Sequence, residues 1–183
     1  MQGASVSRAT ARECWAADRE RYGRGAWVRE PTLCAVAAYR LSQHMAEIRT
    51  PAPLFAVVRL LSRWIQVLVG VEIPYQARFG PGLKVFHGGA VVIHADTVAG
   101  AHCTLRQGVT IGERRSGGGV PVFGDQVDVG AHGQILGPVR VGDRARIGAL
   151  ALVLDDVPDD GFAVAPRATV RPLRSEGVHP PQT

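Results

Sequence analysis

From residue 93 to residue 153 the chain reads IHADTVAGAHCTLRQGVTIGERRSGGGVPVFGDQVDVGAHGQILGPVRVGDRARIGALALV, and an apolar residue returns at every sixth position. Ile93, Leu105, Ile111, Phe123, Val129, Ile135, Val141, Ile147 and Val153 hold the repeat; Ala99 fills one slot with a smaller side chain, and Gly117 interrupts another inside the glycine-rich stretch Gly112–Gly119. Two residues before the repeat position stands a compact residue, as at Thr97, Cys103, Val109, Val127, Gly133, Val139, Ala145 and Ala151. One residue after it glycine is frequent, as at Gly100, Gly112, Gly124, Gly130, Gly142 and Gly148. A helix of 3.6 residues per turn cannot keep positions six apart on one face over such a length, and the glycines would weaken it further. A solenoid of short parallel strands can, and the period is that of a hexapeptide β-helix.

Working outward, the register extends back to His87, six residues before Ile93, so that a histidine stands where the repeat calls for an aliphatic. Around residues 71–79 the pattern changes from helical to short apolar strands with turn residues, which sets a domain boundary there. Before it the chain reads as helical. One helix runs through residues 7–22 until Gly23 and Gly25 break it, and a second covers residues 33–48, with Thr32 as a candidate N-cap. A third, Leu54 to about Gly70, follows Pro51 and Pro53 and presents Leu54, Val58, Leu61, Ile65 and Val69 on one side. Packing on its neighbours and on a partner subunit is the expectation, with membrane-surface binding through Arg59 and Arg63, four apart on a different face, as the alternative. Arg59 and Arg63 interrupt this apolar region, so no membrane span is expected. Pro158 and Pro166 mark the exit from the solenoid, and residues 172–183, with Pro180-Pro181, read as a disordered tail. The division expected is a helical domain at 1–70, a β-helix at 71–171 and the tail.

The chain of 183 residues carries a formal net charge of +5, almost all from arginine, since Lys84 is the only lysine. Arginines scattered over the surface account for this, and no nucleic-acid partner is expected. Cys14, Cys34 and Cys103 form no CxxC and no even framework, which argues against a disulfide scaffold. No secretory signal opens the chain, and a cytoplasmic protein is the expectation.

In order along the chain, four stretches resemble the serine O-acetyltransferase family. They are the helical Ala38-Tyr39-Arg40-Leu41-Ser42-Gln43-His44, the stretch Glu72-Ile73-Pro74, the run from Gly80 through His87-Gly88-Gly89 to Ile93, and Gln107-Gly108-Val109-Thr110-Ile111-Gly112; the exit Val153-Leu154-Asp155-Asp156-Val157-Pro158 is similar too. The resemblance spans roughly residues 15–170. It implies a left-handed parallel β-helix with three hexapeptides per turn behind an N-terminal α-helical domain, in an α+β chain assembled as a homotrimer or as a hexamer of two trimers. It implies acetyl-CoA as co-substrate, a small-molecule hydroxyl acceptor, and transfer to L-serine giving O-acetylserine in cysteine biosynthesis.

Acyl transfer to an alcohol needs a base, a group that orients the base, and donors for the thioester oxygen. The family's catalytic histidine falls on His87, whose neutral imidazole accepts a proton near pH 7. Its orienting aspartate falls on Glu72, a carboxylate on a longer arm, and its second acid falls on Phe86 and is absent. Where the family keeps an Asp-Arg-His-Pro sequence against serine, this chain reads Gly118-Gly119-Val120-Pro121. Arg114 and Arg115 are the substitute carboxylate anchors, in a loop that is either a mobile lid or a solvated basic segment. Gly130, Ala131, Gly148, Ala149 and Arg167 match the groove along which the family holds coenzyme A. No metal is expected: the histidines His44, His94, His102, His132 and His179 include no HxxxxH pair of the kind that β-helical carbonic anhydrases use. Cys103, at a small-residue position, reads as a core thiol.

Two rivals stay open at this level: the same chemistry on a sugar or specialised-metabolite hydroxyl, and a non-catalytic β-helical scaffold. The family's C-terminal isoleucine, which docks into cysteine synthase, has no counterpart in Pro181-Gln182-Thr183, so no tight complex by that route is expected.

Overall fold

The computed structural model describes residues 9–169, leaving the expected tail outside them. Four helices come first: α1 (Ala11–Tyr22), α2 (Ala26–Arg29), α3 (Thr32–Glu47) and α4 (Ala52–Val69). They lead into a three-faced parallel solenoid of two- and three-residue strands. The first face stacks Val71–Glu72, Val91–Ile93, Thr110–Gly112, Gln134–Leu136 and Leu152–Val153. Four strands ending at Phe79, Ala99, Phe123 and Val141 form the second face; the third stacks Lys84–Phe86, Thr104–Arg106, Asp128–Val129, Arg146–Ile147 and Phe162–Ala163. Side chains pointing inward from successive coils, Ile73, Phe79, Val85, Ile93, Ala99, Leu105, Ile111, Phe123, Val129, Ile135, Val141, Ile147 and Val153, build one continuous buried column.

The strand register corrects two readings of the repeat. Val71 pairs with Val91, 20 residues on, whereas Val92 pairs with Thr110, 18 on. The first coil therefore carries two extra residues, and the buried slot that counting by six gives to His87 belongs to Val85. Exposed on the resulting bulge, His87 has φ +58°. Thr110 pairs with Gln134, 24 on, so Gly117 occupies no slot: it belongs to a six-residue insertion that leaves the prism altogether.

Two of the three prism edges turn through a left-handed residue, a region most side chains avoid. Between the second and third faces these are Gly82, His102, Gln126, Arg144 and Asp160. Each turn is held by its neighbour below, as in His102 N–H to Pro81 O (2.8 Å), Gln126 to Ala101 (2.7 Å) and Arg144 to Asp125 (2.8 Å). Carboxylates form a second ladder on the same edge: Asp125 accepts from Ala101 N–H (2.7 Å), Asp143 from Asp125 N–H (2.8 Å) and Asp159 from Asp143 N–H (3.0 Å). On this edge it explains the glycine that follows the repeat position, since a Cβ at Gly100 or Gly124 would overlap the carboxylate of Asp125 or Asp143.

The helices close the open lower end of the solenoid, where strands would otherwise present unpaired backbone. Tyr39 Oη donates to Ala77 O (2.7 Å) and accepts from Phe79 N–H (3.3 Å); Tyr22 Oη donates to Val85 O (3.1 Å) and accepts from its N–H (2.9 Å). Arg40 is buried against Asp18 (2.7 Å) and donates to Phe79 O and Gly80 O, while Asp18 accepts from Leu83 N–H (2.7 Å). Thr32 does not cap its helix; it lies in the first turn and donates to Val85 O at 2.7 Å. The missed cap is Thr10, which forms a reciprocal capping box with Glu13 at the start of α1.

The packed side of α4 also differs from expectation. Phe55, Val58, Ser62, Gln66 and Val69 turn inward, while Leu54, Leu61 and Ile65 are exposed. Hydrogen bonds decide this: Ser42 Oγ donates to Ser62 Oγ (3.0 Å), and Gln66 Oε1 accepts from Ile73 N–H (2.7 Å). By length and composition α4 is long and apolar enough to cross a membrane, with 18 residues of mean hydropathy 1.5 despite Arg59 and Arg63.

Candidate active site

The edge between the third and first faces gathers most of the candidate residues. Its lowest turn is the bulge His87-Gly88-Gly89-Ala90; above it come Gln107-Gly108, Gly130-Ala131-His132 and Gly148-Ala149-Leu150. Backbone bonds stack them: Gly108 N–H to Gly89 O (2.8 Å), His132 N–H to Gln107 O (2.9 Å) and Leu150 N–H to Ala131 O (2.9 Å). At a strand spacing of about 4.8 Å, three coils set His87 roughly 14 Å below Ala149 along one line. The side chains at Gly130, Ala131, Gly148 and Ala149 are minimal, which leaves the main chain of this edge approachable. Arg167 is exposed four residues beyond Ala163, where the chain leaves the last strand of the third face.

The bulge is pinned from the helical side. Gly70, the left-handed C-cap of α4, accepts from Gly89 N–H (3.2 Å) and Val91 N–H (3.1 Å). A Cβ at Gly88 would overlap the Val69 carbonyl oxygen, so this close approach requires glycine. Two residues past Gly70, Glu72 points outward on the first face, level with Val92. Among the described residues its carboxylate bonds to Arg63 (3.2 Å), and no hydrogen bond joins it to His87. Both members of the Arg63–Glu72 pair are more than half exposed. Such a pair contributes at most about 1 kcal/mol, and the carboxylate is readily exchanged to another partner. A cleft of about 540 Å³ lies between α4 and this face, with Glu72, Arg59, Arg63, Leu60, Val67 and Tyr75 in its walls.

Phe86, where the family's second acid would fall, lies between cations: Lys84 Nζ is 4.2 Å and the Arg106 guanidinium 5.9 Å from its ring centroid. Arg106 is itself paired with Asp128. Sequence reasoning passed over Gln107, one coil above His87, whose buried amide oxygen has no hydrogen-bond donor among the described residues. A buried acceptor left free is uncommon and suits a ligand N–H or O–H. Arg63, in sequence only a break in the apolar run of α4, meets Glu72 through the fold of α4 back onto the first coil.

Arg114 and Arg115 are not brought to this edge. They are exposed on the inserted loop, which leaves the far side of the first face and turns through Gly118 N–H to Arg115 O (2.8 Å). Within one chain the proposed anchor and the proposed base stand on different edges of the prism. Cys103 is buried and desolvation pushes its thiol up to about 12, which leaves it protonated and inert at neutral pH. No group of three potential metal ligands occurs among the described residues.

No family profile matches the chain. It is 38% identical over 132 residues to the serine acetyltransferase of Synechococcus elongatus, covering 71% of this chain and 52% of that protein. To the serine acetyltransferase of Helicobacter pylori strain J99 it is 37% identical over 140 residues, 75% of this chain and 80% of the relative. It is 34% identical over 157 residues to the Escherichia coli K12 protein named as a colanic acid biosynthesis acetyltransferase, covering 81% and 94%. The chain thus spans about half the length of the first of these and nearly all of the third. Among solved structures, the soybean serine acetyltransferase apoenzyme superposes with a TM-score of 0.74 at 28% identity, over 87% of this chain and 68% of that one. A serine acetyltransferase complex with CoA gives 0.69 at 25% identity, over 83% and 66%.

Proposed function

Because the chain belongs to the serine acetyltransferase family, we propose that it is an O-acetyltransferase that moves an acetyl group from acetyl-CoA to the hydroxyl of a small acceptor, with residues 71–171 as the acyltransferase domain. The observation that carries this reading is the single edge on which His87 and the four small residues Gly130, Ala131, Gly148 and Ala149 line up. A relative of known structure binds CoA, and an extended pantetheine arm fits an edge of open main chain about three coils tall. Acetyl-CoA supplies the acetyl group as a thioester.

His87 does the proton work. One imidazole nitrogen takes the hydroxyl proton as the oxygen attacks and returns it to the sulfur that leaves; the other faces a carboxylate that fixes the tautomer. Glu72 fills that second role by leaving Arg63 when substrates bind. Gln107 Oε1 accepts a hydrogen bond from the acceptor or from an amide of the pantetheine arm. The arginine loop reaches this edge only from another chain, and a closed ring of three subunits brings each loop to its neighbour's His87.

L-Serine is the first acceptor to test, as two of the relatives are serine acetyltransferases. A glycan hydroxyl is the second, favoured by the loop that reads Gly118-Gly119-Val120 and by the coverage of the colanic acid relative. Thiol release from acetyl-CoA, measured with L-serine, homoserine and sugar acceptors, separates them. Turnover with one of these, lost in His87→Ala, supports the proposal. No turnover with any of them favours a scaffold.

A further inference from the structure

The amphipathic character of α4 is reversed. Its serine and glutamine, Ser62 and Gln66, face the protein and are hydrogen bonded there. At 100° per residue, Leu54, Val57, Leu60, Leu61, Trp64 and Leu68 spread over an outer arc of roughly 120° with no charged group. Leu68 is 84% and Trp64 60% exposed in the single chain, so this face is no part of its core. A soluble surface helix turns its apolar stripe inward; one that turns it outward has a further medium or surface to meet.

The charges carried by the segment itself have one sign. Between Glu47 and Glu72 the sequence holds Arg49, Arg59 and Arg63 and no acid. All three are exposed, with Arg59 and Arg63 on one flank of the apolar arc and Arg49 just before the helix. An apolar helical face carrying a tryptophan and flanked by Arg49 and Arg59, with Arg63 held in its pair with Glu72, is complementary to an anionic bilayer surface. A transmembrane course does not fit: α4 is packed along its inner face on α3 and the first coil, so lipid cannot surround it.

We propose that α4 lies flat in the interface of an anionic membrane, with Trp64 and Leu68 immersed and the arginines at headgroup level. Leu60 and Val67 belong to the flank shared by this face and the cleft that holds Glu72. Docking therefore turns the mouth of the cleft toward the headgroup layer, where an acceptor carried on a lipid is presented. The membrane contact itself does not depend on the acetyl-transfer reading.

Flotation of the full chain with phosphatidylcholine vesicles, with and without a quarter of phosphatidylglycerol, tests this. The wild type is expected to float with the anionic vesicles at least tenfold better than with the neutral ones. Arg49→Gln with Arg59→Gln should cut that binding ten- to thirtyfold, on the order of 1 kcal/mol per arginine. Trp64→Glu with Leu68→Glu should abolish it while circular dichroism and the mass by light scattering stay unchanged. Protein left at the bottom with both vesicles, or equal binding to both, overturns the proposal. A fall in mass for Trp64→Glu with Leu68→Glu overturns it as well, by showing that the face is covered by a second copy of the chain.

Discussion

Gly89 N–H donates to Gly70 O at 3.2 Å, and this bond ties the bulge carrying His87 to the chain that enters the β-helix as Glu72. In the same bulge a side chain at Gly88 would overlap the Val69 carbonyl oxygen. Gly88→Ala is expected to push the bulge off the helix end at a cost of about 1–3 kcal/mol. Turnover should fall at least tenfold, because a base must be held within hydrogen-bond reach of the proton it takes. Thiol release measured beside a thermal melt checks this; a destabilised protein with full turnover would show that His87 does not need this anchorage.

His87→Ala should lower kcat by roughly 100- to 10,000-fold, the usual contribution of a general base, with little effect on stability because the side chain is exposed. Glu72→Gln removes the charge but keeps the length of the arm, and a tenfold or larger loss is expected. Glu72→Asp should recover part of it, since the family carries an aspartate there. Equal activity in Glu72→Gln and the wild type would confine Glu72 to its surface pair with Arg63.

On the opposite edge the carboxylate ladder makes a purely structural prediction. A methyl at Gly124 would occupy the place of the Asp143 carboxylate, which accepts from Asp125 N–H at 2.8 Å. Gly124→Ala is expected to destabilise by about 1–3 kcal/mol. Asp143→Ala should lose about 1 kcal/mol, the usual worth of a hydrogen bond. Combined, they should cost less than the sum of the two, because the second change removes the group that the first one strikes. Urea unfolding of the three variants reads the difference.

The inward column was legible because every coil demands an apolar side chain at one fixed place. Counting by six failed where the chain departs from the period. The insertion around Gly117 is itself six residues long, so it leaves the count intact and passes as a repeat with a poor residue. A two-residue bulge carries the count from Ile93 back to His87 instead of Val85. Tyr39 and Arg40 were noticed as part of a motif, yet their work on the solenoid edge shows only once Ala77, Phe79 and Gly80 are in place. The orientation of α4 was hidden for a related reason: apolar residues surround it, and Ser42 and Ile73, which decide which side turns inward, lie far along the chain. Arg114 and Arg115 stand where a single chain cannot show their use.

The capping phenols predict how stability responds to alkali. Burial pushes Tyr22 and Tyr39 up to about 12 from an ordinary value of 10.0. The folded state therefore holds these protons more tightly than the unfolded one. The associated stability is complete below pH 10 and is lost as the pH rises through about 12. Two pKa units correspond to about 3 kcal/mol for each phenol. Unfolding free energy in urea should fall steeply from pH 10 to 12, and Tyr39→Phe should roughly halve that slope whatever it does at neutral pH. A slope equal to the wild type's would show that Tyr39 ionises without unfolding.

The inserted loop gives the test that separates acceptors. If a guanidinium of Arg114 or Arg115 binds the acceptor's carboxylate, Arg114→Gln with Arg115→Gln should raise the KM for L-serine at least tenfold, about 1.4 kcal/mol, with kcat little changed. An acceptor without a carboxylate, such as a sugar hydroxyl, should be unaffected. Unchanged KM for every acceptor would leave these arginines as a solvated loop and remove the main support for an amino-acid substrate. Because the loop and His87 lie on different edges of one chain, a mixture of this double variant with His87→Ala sharpens the result. Dissociated and reassembled into mixed rings, the inactive His87→Ala subunit and the high-KM loop variant should regain sites of wild-type KM for L-serine wherever an intact loop meets an intact histidine. Complementation of that kind requires the site to be shared between subunits, and its absence from mixed rings would place both functions within one chain.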